Sequence, residues 1–74
     1  MVENSKTIFY KNFQIDISSI SLPDGRWQPV WWIWISDEAS KFVADVYVET
    51  EDVANLAAEK NAKEYVNKNL LGLI

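Results

Sequence analysis

The sequence contains no cysteine and no histidine. Disulfides, zinc fingers, iron–sulfur clusters and the usual imidazole- or thiol-based catalytic sites are therefore excluded. The two glycines stand alone at positions 25 and 72, so there is no glycine-rich loop to cradle a phosphate. Adjacent carboxylates at Asp37/Glu38 and Glu51/Asp52 fit a solvated turn and a helix start. We therefore expect a protein that is not an enzyme and has no cofactor and no metal site.

Basic residues are also few, with seven against eleven acidic ones and a net charge of −4. Proteins that bind nucleic acid use Lys and Arg to neutralise phosphates, so nucleic acid is not an expected partner. No apolar run approaches the ~20 residues that cross a bilayer, and the first residues lack the features of a signal peptide. Together with the absence of cysteine, this predicts a cytoplasmic protein without membrane contact.

The acidic residues are concentrated in one part of the chain. Between positions 37 and 52 there is a single base, Lys41, and the six acids are Asp37, Glu38, Asp45, Glu49, Glu51 and Asp52. One interpretation is a solvated edge followed by a helix start. The other is an acidic patch that attracts a basic partner or imitates nucleic acid.

The length of 74 residues predicts a single domain, residues 1–74, with a polar and frayed segment at 1–6. A chain this short buries only about 60% of the surface that it exposes when unfolded. Without disulfides or metals, stability must come from apolar burial, either within the chain or across an oligomer interface. The composition agrees, because 49% of the residues are hydrophobic and 14% are aromatic.

The first half of the chain has the patterns of β-strands. Residues 13–18 alternate apolar and polar side chains. After Ser18–Ser19 the apolar residues change from odd to even positions, which predicts a bulge at this pair. A turn follows at 22–26, where Pro23 presets φ and Gly25 can adopt positive φ. A second strand at 27–35, a polar connection at 37–40 and a third strand at 41–48 complete an antiparallel meander.

From Thr50 the spacing of apolar residues becomes helical. Thr50 is a candidate N-cap, the acids that follow suit the positive end of the helix dipole, and the helix is predicted at 51–71, before Gly72. The expected fold class is therefore α+β: a three-stranded antiparallel meander with one C-terminal helix packed on one face, in the order β-β-β-α.

Residues 22–29 read LPDGRWQP. This segment resembles an L-P-D-G-x-W-x-P turn-strand motif of small uncharacterised bacterial proteins with the same order of elements. The resemblance extends from about Tyr10 to Tyr65 and implies a β-β-β-α fold, but it implies no activity. The chain differs from that group at Trp31, Trp32 and Trp34, where the group has fewer aromatic residues, so a shared partner is not implied.

The second strand is apolar on both faces, although one helix can cover only one face of the sheet. We expect Trp31, Ile33 and Ile35 to face the helix. The outward set then forms an aromatic stripe, and the predicted partner-binding residues are Val30, Trp32, Trp34, Val43 and Tyr47. Such a stripe would present about 400 Å² of apolar surface, which monomers seldom leave uncovered.

The aromatic stripe could be covered in several ways. The leading prediction is a protein-interaction module that forms a homodimer through its open sheet face. The sheet could instead curl, or residues 8–10 could fold back over the stripe; a different protein or the bases of a single-stranded nucleic acid could also cover it. The alternative function is a small, phage-type acidic inhibitor that imitates nucleic acid and blocks a basic binding site.

Overall fold

The computed structural model describes residues 5–71. These residues form four strands, β1 (Lys6–Tyr10), β2 (Phe13–Ser21), β3 (Trp27–Ile35) and β4 (Glu38–Val43), then helix α1 (Glu51–Tyr65) and a π-helical turn (Val66–Leu70). The strands make one antiparallel sheet in the order β1-β2-β3-β4. The expected α+β class with a C-terminal helix is confirmed, whereas the expected number of three strands is wrong.

The additional strand is β1. It pairs with β2 so that Ile8 lies opposite Ile15, and it therefore neither frays at Lys6 nor folds back over the sheet. The turn between the two strands consists of Lys11 and Asn12, with φ values of 50° and 72°. Positive φ at both positions is the geometry of a two-residue hairpin turn, which places β1 directly beside β2. The predicted frayed positions 1–4, like the predicted helix stop at Gly72, lie outside the described residues.

The boundaries of β4 also differ from the prediction of a strand at 41–48. A two-residue turn at Ser36 and Asp37, with φ values of 52° and 69°, lets pairing with β3 resume at Glu38. β4 ends at Val43. Beyond it, the Ala44 amide still donates to the Pro29 carbonyl, and Val48 returns to the sheet in a bridge to Trp27. The segment predicted as a connection is therefore mostly strand, and the predicted end of the strand is mostly connection.

The bulge predicted at Ser18–Ser19 is absent from the described β2–β3 ladder. Ser18 lies opposite Val30 and Ser19 opposite Pro29 without a break in register. Because the strand is regular, Ile20 lies on the face of the sheet opposite to Ile15 and Ile17, where it pairs with Gln28.

The predicted turn at 22–26 is confirmed. The amide of Gly25 donates to the carbonyl of Leu22 at 3.0 Å, and Gly25 has a φ of +88°. The guanidinium of Arg26 lies 2.7 Å from the Asp24 carboxylate, which also accepts a hydrogen bond from the Arg26 amide. These hydrogen bonds hold the pKa of Asp24 below its ordinary value.

Helix α1 begins as expected, because Oγ1 of Thr50 accepts a hydrogen bond from the amide of Val53 at 3.2 Å. Its buried residues recur every fourth position and end in the π-helical turn: Ala54, Ala58, Ala62, Val66 and Leu70. A strict four-residue spacing drifts around a helix of 3.6 residues per turn, and the wider π turn offsets part of that drift. Alanine at the contact lets the helix lie close to β2 and β3.

The core lies between α1 and one face of the sheet. Trp31 stacks on Phe42 with ring centroids 4.4 Å apart, and Tyr65 packs against both rings at 5.4 and 4.8 Å. Ile15, Ile17 and Ile33 complete the apolar layer under the alanine ridge. Within residues 5–71, no helix has the length and apolar character needed to cross a membrane.

Candidate interaction surface

The sheet has a helix side and an open face. Trp31 and Ile33 are buried in the cluster with α1 and Ile35 packs against it, which confirms the predicted orientation of β3. Strand alternation places the intervening side chains on the opposite side. This open face includes Thr7, Phe9, Gln14, Asp16, Ser18, Val30, Trp32, Trp34, Ala39, Lys41 and Val43.

Cross-strand pairing arranges the open face in rows. In β1-to-β4 order, row one is Phe9, Gln14, Trp34 and Ala39; row two is Thr7, Asp16, Trp32 and Lys41; and row three contains Ser18, Val30 and Val43. Aromatic and polar residues therefore alternate from Phe9 to Trp34 across row one, whereas along the strands β2 contributes only polar residues to these rows and β3 only apolar ones.

The Asp16 carboxylate is the centre of a small hydrogen-bond network on this face. It accepts hydrogen bonds from the Trp34 indole Nε1 at 2.8 Å and from Oγ1 of Thr7 at 2.7 Å. Partial burial raises the pKa of Asp16, but the hydrogen bonds from Thr7, Trp34 and Gln14 together hold it below the ordinary value. Asp16 is therefore ionised at neutral pH and fixes the orientation of the Trp34 ring.

Trp32 is covered in a different way. The Nζ atom of Lys41, its cross-strand neighbour, lies 5.7 Å from the centroid of the Trp32 ring. This is within the range of a cation–π interaction, and the indole itself is half-buried. The ammonium group of Lys41 on β4 therefore lies over the Trp32 ring on β3. Asp16 is on β2, two strands away from Lys41.

A groove of about 680 Å³ lies on the open face beside the two tryptophans. It is lined by the indoles of Trp32 and Trp34 and by polar side chains that include Thr7 and Asp16. Ala39 contributes a small side chain at one border, next to Trp34 in row one. The groove therefore combines aromatic rings with polar side chains, an arrangement suited to binding a side chain by contact and hydrogen bonds together.

The predicted binding residues are only partly brought together. Trp34 is 39% exposed, and Trp32 and Val43 are also accessible on the open face. Val30 is only 2% exposed, so the expectation that it adds exposed surface is wrong. The chain after β4 remains close to this end of β3, where the Ala44 amide donates to the Pro29 carbonyl at 3.0 Å.

Tyr47 lies outside the sheet, because β4 ends four residues earlier. Its ring is 5.0 Å from the guanidinium of Arg26, at the turn between β2 and β3. The expectation that Tyr47 extends the aromatic stripe on a third strand is therefore wrong.

Phe9 is the residue that sequence analysis missed. It is 74% exposed, more than any other large hydrophobic residue that the structure describes, and it lies in row one of the open face. The run Ile8-Phe9-Tyr10 is apolar at every position, so alternation gives no indication of which ring points outward. The turn between β1 and β2 contains neither glycine nor proline, so nothing in the sequence indicated that β1 pairs with β2.

The acidic residues do not form one cluster. Asp37 and Glu38 lie at the β3–β4 turn, whereas Asp45 and Glu49 follow the other end of β4, a separation of about 20 Å along the strand. Glu51 and Asp52 lie in the first turn of α1, where they face the positive end of its dipole. Within residues 5–71, no group of three or more acidic side chains is arranged to hold a metal ion.

The chain matches no family model, and no curated protein or solved structure matches it. The resemblance of residues 22–29 to the bacterial turn-strand motif therefore stays a prediction, and any function must be argued from the open face itself.

Proposed function

We propose that the protein is a non-enzymatic interaction module that self-associates through the open face of its sheet. The observation that carries this proposal is the exposure of Phe9 (74%) and Trp34 (39%) in the same cross-strand row, while α1 occupies the other side of the sheet. Large aromatic side chains dominate the energetics of protein interfaces, and small proteins seldom leave them uncovered in a contiguous patch.

The hydrogen bonding of the open face also supports burial. Covering a tryptophan usually requires a new partner for its indole N–H, and an unpaired buried donor costs roughly 1–3 kcal/mol. Here the Trp34 Nε1 already donates to Asp16 at 2.8 Å within the same chain. A second molecule can therefore cover the ring without leaving this donor unsatisfied.

The alternative of an acidic inhibitor that imitates nucleic acid has less support. Such a protein needs its carboxylates close together on one surface, whereas Asp37 and Asp45 lie at opposite ends of β4. The acid pair Glu51 and Asp52 is explained by the helix start. We retain the cytoplasm as the proposed location, in which a cysteine-free dimer needs no oxidising environment.

The test is sedimentation velocity over a hundredfold concentration range. We expect the wild type to shift from monomer to dimer as concentration rises, and the double variant Phe9→Ser/Trp34→Ser to stay a folded monomer. The matched control is Val53→Ser/Leu56→Ser, which removes two exposed apolar side chains from α1. It should associate like the wild type.

A wild-type protein that stays monomeric over the whole range would contradict the proposal. Loss of association in the α1 variant alone would place the interface on the helix instead of the open face. Circular dichroism of each variant shows whether a loss of association reflects a lost contact or a lost fold.

A further inference from the structure

The symmetry of the open face specifies how a second copy lies on it. We propose that two copies pack face to face about a two-fold axis that runs parallel to the strands and between β2 and β3. In this arrangement β1 covers β4 of the second copy, β2 covers its β3, and Phe9 contacts Ala39 of the second copy. This inference rests on the proposed self-association and adds the geometry of the contact.

The number of strands determines where the axis lies. A four-stranded sheet has no central strand, so an axis along one strand leaves an outer strand of each copy uncovered. An axis between β2 and β3 covers all four strands of both copies. Because it runs along the strands, it also keeps each cross-strand row opposite the same row of the second copy.

Row one is self-complementary in size about this axis. It reads Phe9, Gln14, Trp34 and Ala39 from β1 to β4, so the two-fold axis places Phe9 over Ala39 and Trp34 over Gln14 of the other copy. Packed sheets lie about 10 Å apart, and large residues fit when they face small ones. The border of the groove at Ala39 gives the Phe9 ring a place to enter.

Row two is self-complementary in charge. The axis places Lys41 over Thr7 of the second copy, whose hydroxyl is 2.7 Å from the Asp16 carboxylate. The long lysine side chain can reach that carboxylate, which retains lone pairs beyond those used by Thr7 and Trp34. Each copy thus supplies one ammonium group and one carboxylate, giving two equivalent ion pairs.

The other face-to-face two-fold axis is disfavoured by the same residues. An axis across the strands through row two would place Asp16 on Asp16 and Lys41 on Lys41 of the second copy. Like charges that face each other in an interface cost several kcal/mol. Strand order and charge therefore select one of the two arrangements.

The size of the open face sets the strength of the contact. Ser18 and Val30 of row three are already buried in the single chain, so rows one and two supply most of the contact. Four strands at about 4.8 Å spacing and two rows along the strands give roughly 260 Å² in projection per copy. Stable interfaces bury about 800 Å² per partner, so this contact belongs to the weak, reversible class. The dimer should therefore dissociate on dilution within an accessible concentration range.

The experiment exchanges the large and small side chains. Phe9→Ala leaves a gap in both contacts of a homodimer, and Ala39→Phe makes two rings collide in both. We expect each variant to self-associate at least tenfold more weakly than the wild type in sedimentation equilibrium. An equimolar mixture of the two variants should recover association to within about threefold of wild type, because both contacts of the mixed dimer then pair a large side chain with a small one.

Both positions are exposed, so each variant should fold, and circular dichroism confirms this before mixing. The matched control mixes Phe9→Ala with Phe9→Ala/Ala57→Phe, which adds the new ring on α1 instead of β4. Both copies then lack the Phe9 ring, so this mixture should show no recovery. Weakened single variants whose mixture does not recover would overturn the axis while leaving self-association intact. A dimer that neither substitution weakens would also overturn the proposed axis but not self-association. A wild type that stays monomeric would contradict both the axis and the proposed function.

Discussion

Trp31 and Trp34 belong to the same strand and are three residues apart, yet they have opposite surroundings. Trp31 is 4% exposed and stacks on Phe42 under the helix, whereas Trp34 is 39% exposed and hydrogen-bonds to Asp16 on the open face. The helix side is closed by a ridge of alanines that brings α1 close to the sheet. The open face has no such cover from α1, and its polar groups instead hold the aromatic rings in place. One side is closed by the helix, and the other is the face that we propose for contact with a second copy.

The largest expected effect compares these two tryptophans. Trp31→Ala should lower the free energy of unfolding by about 3–5 kcal/mol, because it removes the centre of the aromatic cluster. Trp34→Ala should lower it by about 1 kcal/mol or less, since the ring is partly exposed. Urea denaturation of dilute protein measures both values, with Trp31→Phe as a milder variant if Trp31→Ala does not fold. Equal losses at the two positions would refute the division into a folding side and a contact side.

The close approach of the helix provides the next test. Ala58 is fully buried against the sheet, so Ala58→Leu should push α1 away and cost about 1–3 kcal/mol. Leu56→Ala, two residues earlier on the exposed surface of α1, should change stability by no more than about 0.5 kcal/mol. Thermal unfolding compares the two. A neutral Ala58→Leu would mean that the helix does not pack tightly on β2 and β3.

A smaller effect is expected at the turn that joins β2 to β3. Gly25 has a φ of +88°, and a Cβ atom built there would meet nothing within 4 Å. Gly25→Ala should therefore destabilise the fold through backbone strain alone, by about 1–2 kcal/mol. Gly25→Asn is the matched control and should cost less, since asparagine tolerates left-handed backbone better. If alanine and asparagine cost the same, backbone strain at Gly25 is not the cause.

The smallest effect concerns the protonation of Asp16. Its pKa is held below the ordinary value in the folded state, so its contribution to stability is present above the unfolded pKa and is lost as pH falls through the folded pKa. Below about pH 4, the wild type should therefore lose stability more steeply than Asp16→Asn. Denaturation at a series of pH values measures both slopes. Identical slopes would show that the hydrogen bonds from Thr7 and Trp34 do not favour the ionised form.

The sequence predicted the elements whose boundaries are marked by strong local signals. Pro23 and Gly25 mark the turn between β2 and β3, and Thr50 with the acids after it marks the start of α1. Apolar alternation in β2 identified the inward residues there. The strand β3 is apolar on both faces, so its pattern did not determine the orientation of Trp31, although the expected orientation is the one observed. These features depend on local backbone preferences and on period-two burial, which a single sequence shows directly.

The missed features depend on turns without glycine. Lys11–Asn12 and Ser36–Asp37 both adopt positive φ although neither pair is a typical hairpin sequence, so β1 and the true start of β4 were not recognised. The error at β4 then placed Tyr47 on the sheet, and the error at β1 hid Phe9 on the open face. The surroundings of Val30 depend on where the chain after β4 passes, which is a tertiary contact that local pattern does not encode.

The contrast between the two sides of the sheet can be measured in one experiment on the four tryptophans. Fluorine NMR of protein labelled with 5-fluorotryptophan gives a separate signal for each ring, assigned by single substitutions and followed during dilution with a soluble paramagnetic agent present. We expect Trp34, and to a lesser extent Trp32, to shift and become more accessible on dilution as the second copy leaves the open face. Trp31 should stay protected at every concentration. A Trp34 signal whose position and accessibility do not change across the range would contradict the proposed role of the open face.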